Sequence, residues 1–381
     1  MNNTQATVLE LIKASLFGIS PDFPEEIDWE SVFKEAKEQT VLALAFSAVP
    51  KEFAVSWEIS AMQSQAHFMR ALYEQSKLCN LFDDAAVPFV IIKGAAAAIY
   101  YPNPNMRTMG DIDVLVSENN FDAAFSLLVE NGYMFNCDYG DGRDYSFSKD
   151  GLIFELHRRY SDYDYNIEDY IQNWIDKSEK LSLYGNTFPA LPKAENGLII
   201  LDHIRHHLVG GLGIRQIIDY MMFVNSVKNE KEFEEVHLPL YQKTGLLTLA
   251  KVIIKMCKIY FGFPVSATWC DDADSKTCDE LLECVLTSGN FGRKDPYEYR
   301  PVRSLTMDIK QNGVFKALQT AGLENSEFIK NHKLLHPFAW IYQTFRYIKR
   351  GIAALVKGER FKGDISSGKQ KTDFYKRLGI K

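Results

Sequence analysis

Hydrophobic and polar residues follow two different periods along this chain. From the N-terminus to about Asn80, apolar residues recur every three or four positions, which is typical of amphipathic helices. Between Val87 and Arg158 they gather in short runs rich in β-branched and aromatic residues, which are typical of strands. After Tyr160 the helical period returns. The pattern therefore predicts a small unit of strands and helices between two helical regions.

Turn residues separate the runs of the middle unit. The predicted strands are VPFVIIK, DIDVLV, GYMFNC, RDYSFS and LIFELHR. Gly94 ends the first, and the alanine-rich run behind it predicts a helix that stops before Pro102. Ser117 is the predicted N-cap of a second helix, over about residues 118–131. The Asp-Gly pair in KDG predicts a hairpin turn between the last two strands.

The same pattern predicts four parts of the chain. They are a helical region over residues 1–80, an α/β core over 81–160, a helical domain over 161–325 that closes a cleft, and a basic helix with a polar tail over 326–381. The predicted fold class is α+β, with a mixed sheet flanked by N- and C-terminal helical regions.

Composition narrows the class of protein. A chain of 381 residues, 46% of them hydrophobic and 24% charged, can bury a large core. It contains neither a signal-peptide pattern nor an apolar stretch of about 18 residues, so the prediction is a cytoplasmic protein without a transmembrane segment. The six cysteines form no CxxC pair, which argues against a zinc site or a disulfide framework.

Charge is unevenly distributed. The net charge is −7, yet the residues from Glu327 onward hold 13 Lys and Arg against 4 Asp and Glu. An acidic body argues against wholesale nucleic-acid binding, whereas the basic tail leaves contact with an anionic partner open. The aromatic and basic run WIYQTFRYIKR could stack on nucleic acid or lie on an anionic membrane. Packing of its aromatic side chains on the body is the favoured alternative.

Two aspartates lie inside the apolar DIDVLV run. On a strand, Asp111 and Asp113 project to one face, and Ile112, Val114 and Val116 to the other. Two like charges side by side are costly unless a cation lies between them. Mg²⁺ is held by a few carboxylates together with substrate phosphates. The pair therefore predicts a magnesium site, and the wet face of an edge strand is the alternative.

A third acid and a glycine turn strengthen that prediction. In LIFELHR, Glu155 shares a strand face with Ile153 and His157, so it is a natural third ligand. The turn at Lys93 and Gly94 opens a helix, whose N-terminus can hold phosphate. Lys93 is predicted to contact phosphate or to be solvated. Arg107 is predicted to bind phosphate or to anchor its loop through a salt bridge.

Further candidates lie on later helices. His203 and His207 share a helix face, but without an HExxH glutamate a transition-metal site is disfavoured. His203 is expected to pack or to hydrogen-bond near the cleft. Arg215 and Asp219 lie one turn apart on the next helix, where either could contact substrate or the two could form an internal ion pair.

These residues together resemble the nucleotidyltransferase fold of the polymerase-β-like superfamily. More narrowly, the Lys93-Gly94 pair, Arg107, the GDIDVLV run and the ELH of residues 155–157 resemble the bacterial family known as uncharacterised nucleotidyltransferase. The resemblance covers roughly residues 93–224. One position departs from the wider superfamily, because Ala95 stands where Gly or Ser usually follows the first glycine.

The resemblance implies a function and a role for each candidate. It implies Mg²⁺-dependent (or Mn²⁺-dependent) transfer of a nucleoside monophosphate from an NTP to a hydroxyl acceptor, which could be a small molecule, a protein or an RNA end. Asp111, Asp113 and Glu155 are the implied metal ligands, and Glu155 would also orient or deprotonate the acceptor. The expected nucleotide-binding residues are Lys93, Gly94, Ala95, Arg107, His203, Arg215 and Asp219. The alternative is a catalytically silent nucleotide-binding or interaction protein that retains the fold.

Overall fold

A computed structural model describes residues 1–138, 142–161, 167–227, 229–290, 294, 313–323, 326, 329, 332–356 and 373–380. The chain divides into two compact units, of which the first comprises residues 1–294 together with Ile380. This first unit contains the sheet and the cavity that concern the function.

Four helices open the first unit. They are α1 (Asn3–Phe17), α2 (Trp29–Glu38), α3 (Leu42–Phe46) and α4 (Ala54–Asp84). Asn2 and Asp28 cap α1 and α2, because each side chain accepts hydrogen bonds from backbone N–H groups of the first turn. The inner face of α4 buries Phe68, Leu72 and Phe82 in the same core as one face of the sheet. The predicted helical start of the chain is confirmed.

The five predicted strands all form, and two further strands join them. The elements in order are β1 (Phe89–Ile92), α5 (Gly94–Ala98), β2 (Ile112–Val116), α6 (Phe121–Glu130), β3 (Met134–Asp138), β4 (Asp144–Lys149), β5 (Leu152–His157), α7 (Ile167–Gln172), β6 (Glu179–Leu183) and β7 (Asn186–Ala190). The sheet order is β3-β4-β5-β2-β1-β7-β6. The KDG turn is confirmed, since Asp150 and Gly151 have φ of 51° and 73° between β4 and β5.

Strand β2 lies in the middle of this mixed sheet. It pairs with β1 antiparallel and with β5 parallel. Ile112, Val114 and Val116 point into the core below the sheet, as the alternation predicts. Because all five residues of β2 are buried, the alternative of a wet edge strand is wrong.

The β6–β7 hairpin is absent from the sequence prediction, which continued with helix after residue 160. Its turn places Tyr184 at φ 48° and Gly185 at φ 79°, the conformation of a tight hairpin connection. Strand β7 then pairs parallel with β1 through Ile91 and Ala190. The sheet therefore extends beyond the predicted core of residues 81–160, whereas the four predicted domain boundaries stay predictions.

Helices complete the described part of the chain. They are α8 (Lys193–Gly210), α9 (Ile214–Ser226), α10 (Glu230–Glu232), α11 (Leu238–Lys243), α12 (Leu247–Tyr260) and α13 (Ser275–Ser288). Helix α9 lies deep in the first unit, with every residue from Ile214 to Val224 buried. Ser117 lies at the predicted N-cap position, before a 3-10 turn (Glu118–Asn120) that leads into α6, but its side chain makes no capping hydrogen bond.

The second unit holds α14 (313–323) and α15 (Ala339–Val356). Trp340 packs against Phe315, but Phe345 and Ile348 are more than half exposed. This contact lies within the second unit, so packing of the aromatic run on the body stays a prediction. Among the described helices, none combines the length and the apolar character needed to cross a bilayer.

Candidate active site

A cavity of about 380 Å³ opens where β1, β2 and β5 face α8 and α9. The three predicted acids, Asp111, Asp113 and Glu155, all line it. Five of the seven predicted nucleotide-binding residues line it too: Lys93, Gly94, Arg107, His203 and Arg215. The side chains of Ala95 and Asp219 are buried behind this lining.

Register between neighbouring strands brings two of the acids together. Asp113 of β2 pairs directly with Glu155 of β5, so their side chains leave the same face of the sheet side by side. Ligand atoms of Asp113, Glu155 and His157 lie within 4.8 Å of one another. Asp111 lies just before β2 and lines the same cavity, outside that compact group.

The three acids repel one another in a poorly solvated place. Burial raises the pKa of Glu155 to about 7, and the charges of Asp113 and Asp111 add to the effect. Burial and the charge of Asp113 also raise the pKa of Asp111. The pKa of Asp113 is nevertheless lowered, because Lys93 and His157 stabilise its charge against the cost of burial. A cation between the acids would relieve this repulsion.

Lys93 supplies part of that stabilisation. Its Nζ lies 2.6 Å from Oδ1 of Asp113, and only 15% of its side chain is exposed. The predicted alternative of a solvated lysine is therefore wrong. Lys93 has φ 53°, a left-handed conformation that costs free energy in a non-glycine residue and here turns the chain from β1 into α5.

His157 and its partner Asp144 line the cavity, and neither of them was assigned a role from the sequence. Nε2 of His157 lies 2.9 Å from Oδ1 of Asp113, and its Nδ1 lies 2.6 Å from Oδ1 of Asp144. Burial and the charge of Lys93 oppose protonation, but the two carboxylates outweigh them and raise the pKa of His157 to about 9. The signal was present in the strand alternation that places His157 on the face of Glu155.

The glycine turn has little spare space. Gly94 has φ 25°, and an added Cβ there would lie 3.3 Å from Cε of Met109. The side chain of Ala95 is part of the hydrophobic core, so any contact between Ala95 and a nucleotide is left to its backbone. Gly94 is thus the only member of this pair with its surface on the cavity.

A buried network ties the loop before β2 to α9. Arg107 donates from Nε and Nη2 to the two carboxylate oxygens of Asp219, both at 2.8 Å, and Tyr101 donates to Oδ1 at 2.6 Å. Arg107 and Asp219 are 3% and 2% exposed. Of the two roles predicted for Arg107, the structure therefore shows the salt bridge that anchors its loop. The predicted internal ion pair between Arg215 and Asp219 is replaced by this one.

Arg215 lies next to that network with a different set of contacts. Its Nη1 donates to the carbonyl oxygen of Thr108 at 3.0 Å. Its Nε is buried and has no hydrogen-bond partner among the described residues. Burial and the charge of Arg107 lower its pKa from the usual value for arginine. A buried guanidinium with unused hydrogen-bonding capacity beside a cavity is suited to an anionic ligand.

The two predicted histidines of α8 contact each other. Nε2 of His203 and Nε2 of His207 are 2.8 Å apart. Burial is the main cause that lowers the pKa of His203 well below its usual value and that of His207 to about 3. The nearby positive charges of Lys93 and Arg215 act in the same direction. Both imidazoles are therefore neutral near pH 7.

Comparison with known proteins adds a family to this geometry. The sequence model of a family described as "Uncharacterised nucleotidyltransferase" matches residues 25–262, which run from the start of α2 through α12. The crystal structure of an antigenic nucleotidyltransferase-like protein from Paracoccidioides brasiliensis aligns over 48% of this chain and 92% of its own length, with 17% identity and a TM-score of 0.29. The search of curated proteins gave no match.

Proposed function

The chain belongs to the uncharacterised nucleotidyltransferase family, and from this premise we propose that it transfers a nucleoside monophosphate from an NTP to a hydroxyl acceptor. The observation that carries the proposal is the pairing of Asp113 with Glu155 in a buried cavity that Asp111 also lines. Pyrophosphate is the other product. The acceptor is a small molecule, a protein side chain or an RNA end.

We further propose Mg²⁺ or Mn²⁺ as the cofactor. The residues present fit such an ion, because three carboxylates share one cavity, and burial together with their mutual repulsion raises the pKa of Asp111 and of Glu155. Asp111, Asp113 and Glu155 would hold it. A divalent ion in such a site neutralises the triphosphate and stabilises the leaving pyrophosphate.

The remaining residues of the cavity position the nucleotide. Lys93, Gly94 and Arg215 supply a cation, a backbone turn that lines the cavity and a guanidinium for the phosphates, and His203 lies on the opposite wall. Arg107 and Asp219 act one step further away, since their ion pair fixes the loop that leads to Asp111. Catalysis would then consist mainly of positioning and charge neutralisation.

Labelled nucleotides test the proposal directly. The full chain is incubated with Mg²⁺ and ATP or GTP labelled at the α-phosphate, together with separate small-molecule, protein and RNA acceptor fractions. We expect label to enter one fraction. Asp111→Asn should lower the rate of transfer about a hundredfold or more, because a carboxylate that would hold the metal ion is lost. Asp84→Asn, an exposed acid-to-amide change at the end of α4, is the matched control.

Two results would count against transfer. Full activity of Asp111→Asn would overturn the role of this site, provided that circular dichroism shows both variants folded. Calorimetry with Mg²⁺-ATP and Mg²⁺-GTP tests whether the protein binds nucleotide without transferring it. Carboxylate-dependent binding without label in any fraction would favour the catalytically silent nucleotide-binding protein.

A further inference from the structure

We propose that His157 is itself a metal ligand in this cavity, with Asp113 and Glu155, and that Asp144 orients its imidazole. The mixed set of one imidazole and two carboxylates would then favour a first-row transition ion such as Mn²⁺ over Mg²⁺. This inference rests on the proposed function, which it deepens by naming the class of cofactor.

The position of His157 supports direct ligation. It ends β5 two residues after Glu155, and its side chain is 2% exposed. Nε2 lies 2.9 Å from Oδ1 of Asp113 and 3.7 Å from Oε2 of Glu155. The ring nitrogen therefore faces the space that the two carboxylates share. Ligand atoms of all three donor groups lie within 4.8 Å of one another.

Asp144 provides the support that metal-binding histidines usually have. It lies directly opposite His157 in the β4–β5 register, and its Oδ1 is 2.6 Å from Nδ1. Imidazoles that bind metal nearly always donate their other ring N–H to a carboxylate or carbonyl, which fixes the tautomer and the ring orientation. With Nδ1 donating to Asp144, Nε2 is the nitrogen that would bind the ion, and it would give up its proton and its 2.9 Å contact with Oδ1 of Asp113 when the ion binds.

A separate observation indicates that the same cavity takes a ligand. Nε of Arg215 is buried and unpartnered among the described residues, although a buried guanidinium normally finds acceptors for its N–H groups. Arg215 lies on α9, outside the strands that carry the donor set. An unused buried donor beside the carboxylates suits a phosphate that arrives with its metal ion.

The nature of the donors bears on the choice of metal. Mg²⁺ prefers oxygen ligands in near-octahedral geometry, and it keeps several waters. Nitrogen donors raise the affinity for transition ions much more than for Mg²⁺. A site of carboxylates alone would discriminate less between the two kinds of ion. The proposal thus predicts that removal of one imidazole lowers both affinity and selectivity.

Pulsed electron paramagnetic resonance on Mn²⁺ tests the ligand directly. Mn²⁺ is added to the full chain without nucleotide, and electron spin echo envelope modulation detects ¹⁴N bound to the ion. We expect a ¹⁴N signal in the wild type and in the control His67→Gln on α4, and its loss in His157→Gln. Asp144→Asn should keep the signal but weaken Mn²⁺ binding roughly 10–100-fold.

Titration calorimetry measures the selectivity of the site for Mn²⁺ over Mg²⁺. The wild type should bind Mn²⁺ at least about tenfold more tightly than Mg²⁺, and His157→Gln should lose most of that preference. Wild-type protein that binds Mn²⁺ without a ¹⁴N signal would overturn the inference but leave the proposed function intact, since His157 would then only hold Asp113. Mn²⁺ binding that is absent, or unchanged by Asp113→Asn, would overturn both. If His157→Gln fails to fold, the presence or absence of the ¹⁴N signal in the wild type still shows whether a nitrogen binds the ion.

Discussion

The two walls of the cavity differ in the sign of their charge. The sheet wall, formed by β2 and β5 with the residue before β2, carries Asp111, Asp113 and Glu155. The helical wall, formed by α8 and α9, carries His203, His207 and Arg215. Although His157 of β5 is protonated, its single charge does not outweigh three carboxylates, so the sheet wall is acidic, whereas the helical wall is neutral or positive. A metal ion and a triphosphate need these two opposite surroundings within a short distance of each other.

Burial shifts the pKa values of the two walls in opposite directions for the same physical reason. It raises the pKa of Glu155 and lowers that of His207, since each group loses solvation of its charged form. The sheet wall retains a charged acid because Lys93 and His157 compensate Asp113. His203 and His207 contact each other instead, with 2.8 Å between their Nε2 atoms. The partners of a buried group, rather than its burial, therefore decide whether it keeps its charge.

The largest expected effect comes from the ion pair that joins the walls. Asp219→Asn should lower the free energy of unfolding by about 3–5 kcal/mol, because Arg107 would remain buried without a counter-charge. Denaturant unfolding measures this change. The matched control is Asp122→Asn, which removes the partner of Arg158 from a pair in which Asp122 is 93% exposed, and should cost less than about 1 kcal/mol. Similar losses in both variants would show that the buried pair does not hold the walls together.

A smaller effect is expected from the cation of the helical wall. Arg215→Gln should weaken binding of Mg²⁺-ATP by about 1.5–3 kcal/mol, or roughly 10- to 100-fold, because a charged hydrogen bond to phosphate is lost. Calorimetry with the full chain measures it. Arg70→Gln, on the exposed side of α4, removes the same charge away from the cavity. Unchanged affinity in Arg215→Gln would mean that the phosphates contact the sheet wall alone.

The smallest effect concerns the neutral imidazoles. The pKa of His207 is lowered from 6.5 to about 3, so between these values the unfolded chain binds more protons than the folded protein. Stability is therefore lost as the pH falls below about 6.5. The free energy of unfolding should fall by about 1–2 kcal/mol more between pH 7 and pH 5 in the wild type than in His207→Gln. Parallel pH profiles would show that His207 is protonated or solvated in the folded state.

The sequence was sufficient for features whose cause is local. The alternation in DIDVLV predicted correctly that Ile112, Val114 and Val116 face the core. The Asp-Gly pair of KDG predicted its hairpin, because few other residue pairs adopt two successive left-handed conformations at low cost. The placement of the three acids on one cavity followed from the same alternation combined with the family resemblance.

Features that depend on distant pairing could not be predicted in the same way. The β6–β7 hairpin joins the sheet only through β1, about a hundred residues earlier, and its own pattern is weak. The role of Asp144 depends on the register that sets it opposite His157. The partner of Arg107 is Asp219, which lies 112 residues further along the chain. A nearer partner for Asp219, Arg215, was the only one that helical spacing could suggest.

The short connection between β7 and α8 has a consequence for how the cavity is entered. Leu191 and Pro192 alone separate the strand from the helix, and Asn196 in the first turn of α8 donates hydrogen bonds to the carbonyl of Ala96 and the hydroxyl of Tyr100, both at 2.9 Å. This short junction is therefore held at the start of α8 by two buried or partly buried hydrogen bonds. We therefore expect the walls of the cavity to be ordered when the protein folds. Binding of the nucleotide then does not carry the entropy cost of ordering them. The dimensions of a rigid frame, rather than closure around the substrate, would then decide which acceptors fit.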